Sequence, residues 1–325
     1  MVLQGFSHAG TEYACINGYG IFEGPTDDSA IQQMLYWKIN AVRIPLNEHC
    51  WLGINGASGQ YSGENYKRAI RDYAQRLNNH GIYVIVDLHW TLNGNSGQAK
   101  SQAPMANRDH SIDFWKSCAS YFKDMNNVIF DLFNEPYLNF AMGDYEGAWR
   151  CWRDGGWCNG IGYEVAGMQA LVNAVREVGS SNVVILGGLS YSNDLGKWLE
   201  YLPHDPQGQL GASAHLYNFN ACSDWGCWKS TLNPIAEKYP FVVGEYGQND
   251  CGDWYVRKIF DWFQAGAGGQ QISHIAWTYN TWDCGSGPAL ITNYYGGCTG
   301  GFGCAVKSLY NQHPPSLINK NLTAY

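Results

Sequence analysis

Val128-Ile129-Phe130-Asp131-Leu132-Phe133-Asn134-Glu135-Pro136 is an apolar run that ends in two polar residues and a chain-turning proline. Its length and β-rich character predict a buried strand over Val128 to Asn134. Runs of the same kind recur at Leu3 to Phe6, Ala41 to Leu46, Tyr83 to His89, Val183 to Gly187, Leu210 to Tyr217, Phe241 to Glu245 and Ile275 to Tyr279. Amphipathic helices are expected between several of them. One runs from Asn65 to His80, where Tyr66, Ala69, Ile70, Tyr73 and Leu77 form a stripe and Gly81 stops the helix. A second is expected from about Gly162 to Val178, with Val165, Met168, Val172 and Val175 facing inward. Strand then helix, repeated, means parallel pairing, and eight such units close into an α/β fold, the (β/α)8 or TIM barrel, whose site lies at the C-terminal ends of the strands. A doubly wound open sheet is the alternative, but it usually carries a phosphate-binding glycine turn after its first strand, a pattern that Gly18-Tyr19-Gly20 lacks. No linker, low-complexity run or repeat divides the chain, so residues 1–325 are expected to form a single barrel domain. The long stretches Thr91 to His110, Tyr137 to Asn159, Asn218 to Asn233 and Asn280 to Gly303 all follow strands and would crowd one face.

Composition narrows the partners. Charged residues are 15% of the chain, below the roughly 25% common in soluble domains, whereas aromatics reach 15%, with 14 Trp and 22 Tyr. Such rings serve a core, but they also suit surfaces with one apolar face and one wet edge, as where sugars bind. The net charge of −8 and the want of a basic cluster argue against nucleic acid. No apolar run is long enough to span a bilayer, and a monomer is the expected state.

Eleven cysteines without a paired Cys-x-x-Cys signature point to disulfides and an oxidising, extracellular compartment. The sequence opens Met1-Val2-Leu3-Gln4 without the features of a signal peptide, which is expected to have been removed. Asn321-Leu322-Thr323 is a glycosylation sequon. Cys151 with Cys158, Cys222 with Cys227 and Cys298 with Cys304 lie close in sequence and are expected as loop staples. In a barrel, Cys15 with Cys50 and Cys251 with Cys284 would sit on adjacent strand-end loops and could be bridged. Cys118, on an apolar stripe with Phe114, Trp115, Tyr121 and Phe122, is the expected free thiol.

The chemistry concentrates at strand ends. A glutamate there can be a structural acceptor or a catalyst, but Phe241-Val242-Val243-Gly244-Glu245-Tyr246-Gly247 repeats the design three strands after Glu135. On strands four and seven the two carboxyl groups would face each other across the barrel mouth, as glycoside hydrolysis requires. If both were ionised side by side, mutual repulsion would keep one protonated. Asp131, inside its strand, reads as a hydrogen-bonded structural acid, and Glu12 and Glu23 are further carboxylates near strands. Glu48-His49-Cys50 lacks a second ligand group, so neither metal nor cofactor is expected.

With its Asn134-Glu135-Pro136 and Gly244-Glu245 motifs in order, the chain resembles glycoside hydrolase family 5 over nearly its whole length. The other positions that family keeps find matches in Arg43, His89, His215, Tyr217 and Trp277. The resemblance implies retaining hydrolysis of β-glycosides, with Glu135 as acid/base and Glu245 as nucleophile. Arg43 would hold Glu245 ionised, and Tyr217 would donate to its free oxygen. Asn134 would meet the sugar 2-hydroxyl, His89 the ring, His215 the acid/base, and Trp277 would floor the ring whose bond breaks. Trp90 and Trp282, with Trp51, Trp149, Trp152, Trp157, Trp225 and Trp228, fall just after strands, to stack on sugars or to pack beneath loops. An endo-β-1,4-glucanase is the leading expectation. A β-diglycosidase of the rutinosidase or primeverosidase kind, a mannanase, a xylanase, a β-1,3-glucanase and a non-catalytic carbohydrate-binding barrel are the alternatives.

Overall fold

The computed structural model describes residues 1–57 and 59–315, so the Asn321 sequon lies outside the described residues. Eight parallel strands close a barrel: β1 (Gln4–Ser7), β2 (Ala41–Asn47), β3 (Tyr83–Trp90), β4 (Val128–Asp131), β5 (Val184–Gly187), β6 (Leu210–Tyr217), β7 (Phe241–Gly247) and β8 (Ser273–Ala276). Each pairs with its chain neighbours, and β8 closes on β1 through Phe6 opposite Ala276. The expected strand set is therefore present. β4 leaves regular pairing after Asp131, and β8 lies slightly earlier than Ile275 to Tyr279.

The helices α1 (Asp28–Leu35), α2 (Glu64–Asn79), α3 (Ser111–Phe122), α4 (Tyr145–Asp154), α5 (Met168–Glu177), α6 (Trp254–Ala265) and α7 (Phe302–Gln312) lie between strands or after the last, with short helical turns over 225–236 following β6. Tyr66, Ile70, Tyr73, Ala74 and Leu77 of α2 are buried, as its stripe predicted. Gly81 takes a φ of 79° while the Ile82 N–H donates to the Leu77 carbonyl, which ends the helix with the backbone satisfied. Cys118 is buried on α3 and unpaired. The helix expected from Gly162 starts only at Met168. Glu164–Val165 instead pairs antiparallel with Gly156–Trp157, and Ala166 donates to the Ala106 carbonyl. A Cβ on Gly167 would sit 2.4 Å from the Gly155 nitrogen, so tertiary packing holds this stretch extended and overrides its apolar period.

All five expected disulfides form, and every one lies on the face reached by the strand C-termini. Cys15–Cys50 ties the loop after β1 to that after β2, and Cys251–Cys284 ties the loops after β7 and β8. Cys151–Cys158, Cys222–Cys227 and Cys298–Cys304 close short loops on the same side. Among the described residues the opposite end carries no cross-link, and it opens into an apolar cavity of about 490 Å³ lined by Leu3, Ile85, Ile129, Ile185, Phe241 and Val242. Among the described residues no helix is long and apolar enough to cross a membrane.

Candidate active site

Local packing delivers each polar group to the barrel mouth. The Trp115 indole of α3 donates to the Leu132 carbonyl at 2.9 Å, and the Asn134 N–H donates to Leu88 of β3 at 3.0 Å, so the chain beyond β4 is pinned where Asn134 and Glu135 emerge. Gly244 lets β7 lie against β6: a Cβ there would come within 2.4 Å of Ser213 Oγ and 3.2 Å of His215 Nε2. The register shifts beside it, between Ala214 and His215, and this pairs His215 with Glu245.

The buried Arg43 guanidinium is the hub. Its Nη1 donates to Glu245 Oε1 at 2.7 Å, and its Nη2 donates to Asn134 Oδ1 at 2.8 Å and to Asp131 Oδ2 at 3.1 Å. Asp87 Oδ2 lies 3.2 Å from the same nitrogen. The Tyr217 hydroxyl donates to the other Glu245 oxygen at 2.7 Å. His215 Nδ1 is 2.9 Å from Glu135 Oε1 and 3.5 Å from Glu245 Oε2, and one oxygen of each glutamate lies within 4.8 Å of the other. Gln102 Nε2 donates to Glu135 Oε2 at 2.9 Å. The His89 ring, bonded through Nδ1 to Asp87, stacks nearly parallel on Trp277 with centroids 5.5 Å apart.

Burial would lower Arg43, but the charges of Asp87, Glu245 and Asp131 outweigh it and hold the guanidinium above its usual range. Burial pushes Asp87 up to about 7 and Asp131 up to about 8 against the pull of Arg43. It lowers His89 to about 4 and His215 to about 3, so both imidazoles are neutral near pH 7. Glu135 is raised, first by burial, with the Gln102 hydrogen bond opposing. Burial, and not the expected repulsion between the two glutamates, is the largest cause.

Of the expected site residues, Arg43, Asn134, Glu135, His215, Tyr217 and Glu245 form one bonded cluster, and His89 joins it through Asp87 and Arg43. Trp277, Trp282 and Trp90 extend it as an aromatic rim. Trp282 lies 6.4 Å from Trp277, and Tyr13 lies 6.3 Å from Trp282 and 6.1 Å from Trp90. Glu23 fixes this rim, accepting from Trp282 Nε1 at 2.8 Å and from the Tyr13 hydroxyl. By contrast Trp51, Trp149, Trp152 and Trp228 are fully buried, so they pack beneath the loops, while Trp157 projects from the 156–157 ribbon at 76% exposure. Asp87 and Gln102 are additions. Asp87 was visible as an acid two residues before His89, on the same inward face of a period-two strand. Gln102 sits in a loop without a motif.

Glu135, His215 and Glu245 are the one group of three among the described residues whose side-chain donors lie close enough together to hold a cation. Their atoms already serve one another, Arg43, Tyr217 and Gln102, so an ion would have to displace those contacts.

Comparison with known proteins follows the geometry. The family described as Cellulase (glycosyl hydrolase family 5) matches residues 3–283. The chain is 23% identical over 254 residues to an endoglucanase A of Butyrivibrio fibrisolvens, covering 77% of this chain and 51% of that protein. It is 24% identical over 196 residues to a manganese dependent endoglucanase of Phanerodontia chrysosporium, covering 59% and 44%. The chain thus spans about half the length of the curated relatives it matches. In fold it resembles a β-glucanase from Saccharophagus degradans, with a TM-score of 0.70 at 17% identity over 97% of this chain and 89% of that one. A Thermomonospora fusca β-mannanase in complex with mannotriose gives 0.67 at 16% identity, over 97% and 89%.

Proposed function

The chain belongs to the cellulase family of glycosyl hydrolases, family 5, and from that premise we propose that it hydrolyses β-glycosidic bonds with retention of configuration, as an endo-β-1,4-glucanase. One observation carries the mechanism: an oxygen of Glu135 lies within 4.8 Å of one of Glu245. That upper bound lies on the side of the roughly 5–5.5 Å of a double displacement and well short of the about 6.5–9.5 Å that inversion needs to admit a water.

Glu245 is the nucleophile. Arg43 on one of its oxygens and Tyr217 on the other fix its orientation. Glu135, which burial shifts toward its protonated form, gives its proton to the leaving oxygen as a Glu245 oxygen bonds the anomeric carbon and the glycosidic bond breaks. In the second half-reaction the Glu135 carboxylate takes a proton from water, the water oxygen bonds the anomeric carbon, and Glu245 leaves. His215 is neutral, and its Nδ1, 2.9 Å from Glu135 Oε1, orients that carboxyl group. The Asn134 amide nitrogen is buried without a partner and is available to the sugar 2-hydroxyl. Trp277 and the parallel His89 form the floor of the ring that is cleaved. Trp282, Tyr13 and Trp90 continue that floor, which suits a chain of several sugars.

Five disulfides suit an oxidising compartment, and we read the protein as a secreted monomer. The test is a panel of carboxymethyl cellulose, mannan, xylan, laminarin and a rutinoside, with the anomer of the first product followed by proton NMR. Cellulose cleavage with the β-anomer formed first is expected. An α-anomer first would end the retaining mechanism, and preference for another substrate would move the chain to that specificity.

A further inference from the structure

Ser190, Tyr191 and Ser192, in the loop after β5, have φ angles of 53°, 59° and 58°. Side-chain-bearing residues visit this left-handed region singly and at a cost, so three in succession persist only where the surroundings impose them. Beyond the turn's own backbone bonds between Leu189 and Asp194, its restraints come from the segment that carries Glu135. The Tyr191 N–H donates to the Pro136 carbonyl at 2.9 Å, and Ser192 Oγ donates to the Asn134 carbonyl at 2.8 Å. The Asn139 side chain accepts from the Ser190 N–H at 3.0 Å and donates to Ser190 Oγ at 2.9 Å. Gly187 makes the approach possible, because a Cβ there would meet Ser192 Oγ at 2.2 Å.

What this strained turn presents is the Tyr191 ring. It stacks on Tyr137, with centroids 4.8 Å and planes 24° apart, and on Phe140, at 5.8 Å and 29°, giving a cluster of three stacked rings. Phe140 is 64% exposed and Tyr191 41%, so the stack faces solvent instead of filling a core. It also adjoins the acid: the Tyr137 hydroxyl donates to the Gln102 carbonyl, and Gln102 donates to Glu135.

The topology assigns the stack a side of the cleft. With Glu135 beyond β4 and Glu245 on β7, the loops after β5 and β6 form one arc of the mouth, and those after β8, β1, β2 and β3 the other. His89, Trp277, Trp282, Tyr13 and Trp90 line the second arc. A ring seated on Trp277 and His89, with its glycosidic oxygen toward Glu135, sends the leaving group over the first. We propose that Tyr137, Tyr191 and Phe140 are the platform for the sugar rings on the leaving-group side of the bond, and that the left-handed turn exists to place Tyr191 there. The proposal rests on the retaining glucanase reading above.

The experiment compares substrates with and without sugars on the leaving-group side of the bond, and a third, 4-nitrophenyl β-cellobioside, that carries an aromatic leaving group. Cellopentaose has sugars to lay on the platform, and β-cellobiosyl fluoride leaves a single atom. In Tyr191→Gly, kcat/KM for cellopentaose is expected to fall about 10- to 100-fold, the scale of a lost aromatic stacking surface. Turnover of the fluoride should stay within about 2-fold. Glycine suits the left-handed backbone, so the melting temperature should hold or rise. Phe140→Ala, on an exposed side chain, is the second variant and should show the same split. Equal loss on both substrates would mean that Tyr191 only steadies Glu135 and would overturn the proposal, as would no loss on cellopentaose. Loss confined to 4-nitrophenyl β-cellobioside would also overturn it, by identifying an aromatic leaving group as the occupant. A wild-type protein that turned over neither the pentaose nor the fluoride would remove the glucanase reading, and the platform with it.

Discussion

Replacing Glu12 by glutamine is expected to stabilise the fold at pH 8 and to change it little at pH 4.5. Glu12 is 2% exposed, its Oε2 accepts the Gly10 N–H at 2.7 Å, and its charged neighbours Asp87 and Glu23 are acids. Burial, opposed by the Gly10 hydrogen bond, pushes its carboxyl from 4.5 up to about 8. The sign follows from linkage. Between pH 4.5 and about 8 the unfolded chain has released this proton while the native protein still holds it, so stability falls through that window and levels off above it. At about 1.4 kcal/mol per pH unit the rise corresponds to about 4–5 kcal/mol at pH 8. Unfolding entropy near 2.1 cal/mol/K per residue gives about 0.7 kcal/mol/K for 325 residues, so the variant should melt roughly 6–7 °C higher at pH 8. Thermal unfolding of both proteins at pH 4.5, 6 and 8, at one scan rate and ionic strength, reads the difference directly. A gap that stays constant with pH, or closes as pH rises, would refute the reasoning, because Glu12 would then be ionised in the fold.

Glu135→Ala should lower kcat/KM on cellulose about 10²- to 10⁴-fold yet keep turnover of an activated aryl cellobioside, whereas Glu245→Ala should lose both; an unaffected Glu245→Ala would remove the nucleophile assignment. Tyr217→Phe deletes a charge-assisted hydrogen bond worth about 1.5–3 kcal/mol, so kcat/KM should drop about 10- to 100-fold, and an unchanged value would mean that the bond is not needed in the transition state. Because burial raises Glu135 and the acid must be protonated, activity should persist above the ordinary glutamate range and be lost as pH rises through its pKa. That basic limb should vanish in Glu135→Gln assayed with cellobiosyl fluoride. Dialysis against EDTA should leave kcat/KM unchanged, since Arg43 already balances Glu245, and restoration by manganese of activity so lost would contradict this.

The barrel was legible because its information is local: short apolar runs ending in polar residues state both the strand and the face to which it delivers chemistry. Glu135 and Glu245 could be read for the same reason, as could Arg43 and His215, polar groups on otherwise apolar strands. What escaped depends on contacts distant in sequence. Gln102 acts only because its loop folds across Glu135, and Tyr191 only because Pro136 and Asn139 hold a backbone that no residue preference at 190–192 announces. The stretch 162–167 carried an apolar period yet was claimed by the 156–157 ribbon. The fully buried tryptophans that follow strands teach the same point: proximity to the cleft in sequence does not say which face of a loop a ring takes.

The distribution of cross-links has a mechanical consequence. The bridges of sequence separation 35 and 33 each remove chain entropy worth about 4 kcal/mol, and the three short ones about 2 kcal/mol each, all at the end that holds the carboxylates. The uncrosslinked base, with its apolar cavity, is where the molecule can open first. Heating or mutation would therefore erode the foundation before the rim, and the cleft could keep its shape through partial opening that would blur an unbraced site. Reduction of the bridges would remove that difference between the two ends.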